Sequence, residues 1–155
     1  RPIPIGSTCF VCIGSTIGKV GITSFPVCAT NQQINAVVPA DQFHERYVFH
    51  LLTRWSDHIK GHASPSPVPI LSKGAFERLE IFTSVDKGEQ SEIAEILDLI
   101  DQKIVNHRNR VVLLEQLFTE LLHRLVRGRI RVNELDLSGL AAGAPAAAEA
   151  AGAPA

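Results

Sequence analysis

The sequence is poor in the features that identify secreted, membrane and strongly charged proteins. Its 155 residues contain no methionine, one tryptophan and one tyrosine, and the formal net charge is −1. So small a net charge gives no indication of a nucleic-acid or membrane partner. No apolar run approaches the roughly 18 residues that a transmembrane helix needs, and no signal peptide precedes the first cysteine. We therefore expect a reduced, cytoplasmic protein without membrane contact and, because the chain lacks methionine and starts at Arg1, a fragment of a longer chain.

Cysteine and histidine are also too sparsely placed to predict a metal centre. Cys9 and Cys12 have the spacing of half a zinc site, but no second close pair of ligands follows. They lie in an apolar strand-like run, where cysteine acts as a small hydrophobic residue. His58 and His62 have the spacing of a helical metal pair, but Gly61 interrupts that helix, and a solvated face is the simpler interpretation. We predict no metal site and no cofactor.

No arrangement of residues predicts catalysis. There is no Gly-x-Ser-x-Gly elbow, and no paired carboxylates lie in an apolar setting. The segment Gly14–Lys19 is one residue shorter than a phosphate-binding loop, and Val20 stands where Ser or Thr would bind magnesium. Two interpretations remain: a plain β-turn, or a turn that offers backbone N–H groups and Lys19 to a DNA phosphate. We predict a non-catalytic protein with no catalytic residues.

The order of patterns along the chain predicts an α+β fold. Strand-like runs are followed by an amphipathic helix that starts at Asp41, in which apolar residues recur every four positions. The strands are predicted at 8–13, 18–25, 34–38 and 79–82, and a short helix at 72–77. The apolar face of the amphipathic helix is predicted to comprise Phe43, Tyr47, Leu51, Trp55 and Ile59.

The second half of the chain carries a long heptad repeat. Its apolar positions follow one another at steps of four and three residues, which is the pattern of a coiled-coil seam. The seam comprises Ile93, Leu97, Ile100, Ile104, His107, Val111, Leu114, Phe118, Leu121 and Leu125. His107 is the polar member, and it either fixes the register of pairing or directs its ring edge to water. Because no helix of matching length precedes this one, we expect the partner helix on another chain.

The long helix also has predictable ends. Asp86 followed by Glu89 has the form of a capping box, and Gly128 is preceded by basic residues that suit the last turn. The sequence beyond this helix is rich in Ala, Gly and Pro and is predicted to be disordered. The predicted organisation is therefore a small sheet with helices in residues 1–86, a helix for dimerisation and spacing in 87–131, and a tail in 132–155.

Several of these segments together resemble a known family. The runs Cys12–Ile22 and Ala29–Pro39 resemble the target-recognition domain of type I restriction-modification specificity subunits. Glu89–Asp98 is similar to the opening of that family's conserved helix, and Leu121–Val132 is similar to its closing segment. The resemblance covers roughly residues 5–135 in the same order, with only the later part of one recognition domain and one helix.

The resemblance implies a non-catalytic subunit that recognises double-stranded DNA. Such a subunit reads a bipartite target with two recognition domains, which long helices hold at a fixed separation. Methyltransferase subunits and a restriction nuclease subunit assemble on it. Because one helix and part of one domain are present, the resemblance also implies a homodimer paired through the helix.

We assign the candidate sites on this basis. The DNA-binding candidates are Lys19 for phosphate and, for base edges or backbone, Asn31, Gln32, Gln33, Asn35, His62 and Ser64. Amide side chains suit adenine in the major groove, but a polar loop, or burial of Gln33 or Asn35 between strands, would also explain this segment. The helix-interface candidates are Leu97, Ile100, Ile104, His107, Val111, Leu114, Phe118 and Leu121. The competing hypothesis is a coiled-coil assembly fragment without independent DNA recognition.

Overall fold

The computed structural model describes residues 2–134, which form short strands and three α-helices. The strands are β1 (Ile3–Pro4), β2 (Thr8–Val11), β3 (Val20–Ile22), β4 (Val27–Cys28) and β5 (Ile34–Val37). The helices are α1 (Glu45–Lys60), α2 (Lys73–Glu77) and α3 (Lys87–Val126), followed by a 3-10 turn at Val132–Glu134. The predicted α+β class is confirmed, and the predicted disordered tail falls outside the described residues from residue 135 onward.

The main sheet is antiparallel, with β2 between β3 and β5. Cys9 on β2 pairs with Gly21 on one side and with Ala36 on the other. Because β2 is central and both neighbours run against it, the end of β2 adjoins the starts of β3 and β5. Strands β1 and β4 form a separate two-stranded ribbon.

The predicted strand at 79–82 is wrong. These residues have no strand partner within the described chain. Instead, Leu79 and Ile81 pack as half-buried side chains against the core. The alternation of apolar and polar residues thus reflects packing of an irregular segment rather than pairing in a sheet.

The core lies between the sheet and α1. It comprises Phe10, Cys12, Val48, Leu52, Ile59 and Leu71. The predicted face of α1 is only partly right, since Tyr47 and Ile59 are buried whereas Leu51 and Trp55 are half-buried. Four residues turn a helix by 400°, so a strict four-residue repeat drifts around the surface. Val48 and Leu52 therefore take the innermost positions in the middle of the helix.

Helix α1 begins four residues later than predicted, at Glu45 rather than Asp41. The intervening residues form a turn in which the Phe43 N–H donates to the Ala40 carbonyl at 2.8 Å. His44 is the extended N-cap residue and provides no side-chain cap.

The ends of α3 agree with their sequence signals. Asp86 Oδ1 accepts from the Glu89 N–H at 2.7 Å, which is the first half of the predicted capping box. The second half differs, because Ser84 Oγ rather than Glu89 accepts from the Asp86 N–H, at 3.2 Å. At the other end Gly128 adopts a φ of 65°, and the Arg129 N–H donates to the Arg124 carbonyl at 2.9 Å. This is a Schellman motif, in which glycine is favoured because φ is positive.

Residue contacts divide the chain into two compact units, one ending at Ile104 and one starting at Val105. The first unit contains the sheets, α1, α2 and the first part of α3. The predicted domain boundary at residue 86 coincides with the start of α3 and stays a prediction. None of the helices within residues 2–134 is long and apolar enough to cross a membrane.

Candidate nucleic-acid interface

Three polar loops meet at one end of the main sheet, which we call the loop end. They are the turn 14–19, the turn 29–33 and the loop 62–70. The segment after β2 holds all three: the Cys12 N–H donates to the Gln33 carbonyl at 2.7 Å, and the Gly14 N–H donates to the Pro69 carbonyl at 2.9 Å. Ile13 also forms a β-bridge with Ile70. The structure therefore brings together segments that lie more than 50 residues apart in the sequence and contain most of the predicted DNA-binding residues.

Three backbone N–H groups of the first turn donate to nearby carbonyl groups and so close the turn. The Ile17 and Lys19 N–H groups donate to Gly14 and Thr16, each at 3.1 Å, and the Gly18 N–H donates to Val11 at 2.9 Å. These three groups are therefore not directed toward an external anion, and the backbone matches the plain-turn interpretation. The Lys19 side chain is exposed and forms no ion pair with another residue of the range 2–134.

The amide-rich segment divides into an exposed turn and a half-buried strand residue. Asn31 Oδ1 accepts from the Gln33 N–H at 3.0 Å and closes an Asx turn, which leaves the side chains of Gln32 and Gln33 exposed. Asn35 lies on β5, and its Nδ2 is buried without an oxygen or nitrogen acceptor. It neighbours the Cys12 thiol, whose pKa burial raises and Asn35 partly lowers. Asn35 thus occupies the position expected of the buried alternative.

The third loop is tied by its own polar groups. Ser64 Oγ accepts from the Ile70 N–H at 3.1 Å, and the Ser64 N–H donates to the Ile70 carbonyl at 2.9 Å. His62 Nδ1 lies 3.0 Å from the His58 carbonyl oxygen, and the two imidazole rings meet edge-on at 4.9 Å. Both predicted residues are exposed, and both also stabilise the local fold.

Only one cluster within residues 2–134 has ligand atoms close enough together for a cation, and it lies away from the loop end. It consists of His50, Asp98 and Asp101. The Arg46 guanidinium already binds Asp98, with its Nε 2.9 Å from each carboxylate oxygen. These hydrogen bonds are the main reason that the pKa of Asp98 lies below its usual value. The carboxylate is therefore neutralised by an arginine, and the geometry is that of an ion pair.

The second unit presents the long helix with many apolar side chains exposed. Between residues 105 and 126 the exposed ones are Val105, Val111, Val112, Leu113, Leu114, Leu117, Phe118, Leu122 and Val126. Val111, Leu114, Glu115, Phe118 and Thr119 line a hollow of about 400 Å³. The first four are spaced by three, four and seven residues from Val111, which is the spacing of the hole that receives a side chain of a facing helix in a coiled coil.

Of the predicted interface residues in the first unit, Ile100 and Ile104 are exposed and Leu97 is half-buried. In the second unit His107, Val111, Leu114 and Phe118 are exposed, and Leu121 is half-buried. No predicted interface position in α3 is fully buried within the chain itself. All of them thus retain apolar or polar surface for a partner.

Comparison with known proteins identifies the family. Residues 2–116 match the family described as "Type I restriction modification DNA specificity domain". The chain belongs to this specificity family. The structure resembles the crystal structure of the type I restriction-modification system S subunit from M. genitalium, with a TM-score of 0.65 and 19% identity over 80% of this chain. The match covers 33% of that S subunit, so the chain spans about a third of its length. The comparison with curated protein sequences gave no match.

In this specificity-family chain, the structure adds residues that sequence patterns missed. A cavity of about 470 Å³ beside His62 is lined also by His58, Arg78 and Glu80. Arg78 follows α2, and no sequence spacing relates it to His62. At the tip of the first turn Ser15 and Thr16 expose hydroxyl groups that the glycine-rich pattern obscured. These side chains extend the polar surface at and beside the loop end.

Proposed function

We propose that this chain is a non-catalytic DNA-sequence recognition module of a type I restriction-modification system. The observation that carries the proposal is the convergence of three exposed polar loops at one end of the sheet in a chain of the specificity family. Double-stranded DNA is the ligand, and the methyltransferase and restriction nuclease subunits are the protein partners. The module positions these subunits on a bipartite target.

Phosphate and base contacts are divided among the loops. Lys19 is exposed at the end of the first turn, so its ammonium group neutralises a backbone phosphate. Asn31, Gln32 and Gln33 lie on the adjacent turn, and an amide can accept and donate to the same adenine edge. Asn31 is already committed to its Asx turn, so Gln32 and Gln33 are the stronger candidates for base contacts. His62 and Ser64 contribute at the loop margin.

The test compares duplexes that the protein selects from a random-sequence pool with unselected duplexes. Lys19→Ala should weaken binding to both and reduce the slope of affinity against salt by about one phosphate contact. Gln32→Ala should lower affinity for the selected duplexes alone, by about 1–3 kcal/mol. Lys103→Ala, which removes an exposed lysine from α3, is the matched control. If Lys19→Ala and Gln32→Ala leave both affinities unchanged at low salt, these contacts are wrong.

The second candidate function is assembly through α3. It is supported by the exposed apolar side chains and by the hollow at Val111, Leu114, Glu115 and Phe118. A second copy of the chain fits this face in antiparallel orientation. The heptads then place Val111 against Leu114 of the second copy, His107 against Phe118, Ile104 against Leu121 and Ile100 against Leu125.

The polar seam residue His107, more than the flanking charges, favours antiparallel over parallel pairing. In the antiparallel register Arg108 lies beside Glu115 of the second copy, and the symmetry repeats this attractive pair. A parallel pair would also contain an attractive contact, between Arg110 and Glu115, but it would bring Lys103 beside Arg108 of the second copy and place the two His107 rings face to face. In the antiparallel arrangement His107 lies against the Phe118 ring of the second copy rather than against the second His107, so it specifies the register of pairing.

Charge reversal distinguishes the two orientations. Arg108→Glu should weaken self-association, and Arg108→Glu combined with Glu115→Arg should restore it only in the antiparallel register. A parallel dimer would instead be restored by Arg110→Glu with Glu115→Arg. Sedimentation equilibrium measures the dimer constant. Self-association without salt-dependent retention on DNA would favour the assembly fragment over the DNA reader.

A further inference from the structure

One face of α3 joins the long helix to the rest of the first unit. Gln90, Ala94 and Asp98 follow one another at four-residue intervals and therefore lie on one side of the helix. Gln90 and Ala94 are buried, although the stretch around them is rich in charged residues. We call this side the clasp face, defined by these three residues.

Gln90 uses both ends of its amide to connect separate segments. Its Oε1 accepts from the His44 N–H at 2.8 Å, and its Nε2 donates to the Ser84 carbonyl at 2.9 Å. His44 is the residue before α1, and Ser84 lies before α3. The Gln90 side chain is fully buried, and the two hydrogen bonds are partly shielded from water. Gln90 thus fixes the first turn of α3 against the start of α1.

Asp98 makes a second connection two turns later. Arg46 Nε lies 2.9 Å from both carboxylate oxygens, and His50 Nε2 lies 2.7 Å from Oδ1. Arg46 and His50 are four residues apart and thus lie on one face of α1. The guanidinium also lies over the Phe49 ring, at 4.8 Å from its centre. A planar fork on a carboxylate restricts direction as well as distance, which a purely apolar contact does not.

The clasp face begins in the heptad seam and then turns away from it. Gln90 lies seven residues before Leu97 and is therefore in the register of the seam, whereas Ala94 and Asp98 are turned by about 60° and 100° from Leu97. Ile100 and Ile104, the next seam positions, are exposed and stay available for a second helix. The first turns of α3 can thus be held by their own domain while the seam further along the helix binds a partner.

We propose that Gln90 and Asp98 are positioning residues that set the spacing between the two DNA half-sites read by a pair of these chains. The inference rests on the proposed function and on pairing through α3. Two connections about eight residues apart, roughly 12 Å along the helix, fix the angle between α1 and the first part of α3. A change in that angle displaces the DNA-reading loops of one copy relative to those of the other. None of the clasp side chains touches DNA in this proposal.

The experiment selects duplexes from a random-sequence pool with the full chain and reads the gap between enriched sequence blocks. Asp98→Ala and Arg46→Ala are the test variants, because this pair is partly exposed and its loss leaves the core intact. The control is Glu120→Ala, which removes a carboxylate paired with Arg124 within the same helix. Wild type and control should enrich two blocks separated by one gap length. The test variants should enrich the same blocks with a broadened gap, and discrimination against a gap one base pair longer should fall about fivefold.

The outcomes separate this inference from the proposed function. If wild type enriches no block, the DNA-reading function is wrong. If wild type enriches blocks and both test variants keep the single gap, the clasp does not set spacing, and the DNA-reading function stands. A single block in wild type would also overturn the clasp inference, because there would be no spacing to set. Unchanged blocks with a broadened gap support it, since a merely destabilised protein would lose affinity for every gap equally.

Discussion

Replacing Gln90 with leucine removes both hydrogen bonds of the buried amide while keeping a side chain of similar size. The His44 N–H and the Ser84 carbonyl then lose their partners at a site where Gln90 itself is fully buried. Leucine adds apolar surface to the contact, which acts in the opposite direction. The loss of the two hydrogen bonds outweighs this gain, because each loss leaves a partly buried backbone group without its partner.

The magnitude follows from the two hydrogen bonds. Each contributes about 1 kcal/mol net, and a buried group left unpaired costs about 1–3 kcal/mol. Both bonds are only partly buried, so we take the lower end, about 1 kcal/mol, for each of the two groups, and subtract about 1 kcal/mol for the added apolar burial of leucine. We expect Gln90→Leu to lower the free energy of unfolding by about 1 kcal/mol. For a unit of about 100 residues this corresponds to a fall in Tm of about 5 °C.

Urea unfolding monitored by tryptophan fluorescence is a suitable assay. Trp55 is the single tryptophan, and it packs against the core of the first unit. The midpoint should fall while the slope against urea stays unchanged. Gln116→Leu, an exposed position of the same helix, is the control and should stay within about 0.5 kcal/mol of wild type. A free energy of unfolding for Gln90→Leu equally close to wild type would refute the role given to the amide.

Three further predictions concern charge, backbone and pairing. Because Arg46 lowers the pKa of Asp98, the ion pair stabilises the fold above the unfolded carboxyl pKa of about 3.9 and is lost as pH falls through the lower folded value. The stability difference between wild type and Asp98→Asn, measured by urea unfolding, should therefore be constant at neutral pH and shrink in acid. Gly18→Ala should destabilise by about 1–2 kcal/mol, and Gly14→Ala by less. Gly14 and Gly18 both have positive φ, but of the two only a Cβ at Gly18 would meet the Lys60 side chain, at 2.2 Å. Equal urea-unfolding midpoints for the two variants would contradict this prediction. Ile104→Asp should abolish self-association in sedimentation experiments, because the seam would have to desolvate a carboxylate; an unchanged oligomer would contradict the assigned seam.

Local signals in the sequence predicted the elements better than their arrangement. Strand β5, helix α2 and both ends of α3 follow from alternation, capping and glycine, which act within a few residues. The start of α1 was missed because Asp41 has the chemistry of an N-cap, whereas the turn closed by Phe43 and Ala40 delays the helix. The strand predicted at 79–82 failed because alternation does not specify a pairing partner.

The candidate interface shows the same contrast between local sequence signals and the arrangement of distant segments. Lys19 and Gln32 were identified by their chemistry, but their meeting at one end of the sheet depends on hydrogen bonds of Cys12 and Gly14 to distant loops. Such contacts form between segments whose separation carries no periodic signal. Asn35 lies half-buried on β5, which is the position expected from the alternative that it is buried between strands.

The heptad repeat of α3 does not describe all the contacts that this helix makes. The heptads identify the face directed at a partner helix, and on that scale Gln90 is a polar residue in a polar stretch. Its burial arises because the clasp face meets α1, and that contact is made by hydrogen bonds rather than by apolar area. Gln90 continues the heptad steps by one position before Ile93, but a polar residue at such a position leaves no hydrophobic signal, so its burial was not predicted from the sequence. The same contacts explain why the first compact unit extends to Ile104, well beyond the start of α3: the first turns of the long helix are held by the domain that precedes them.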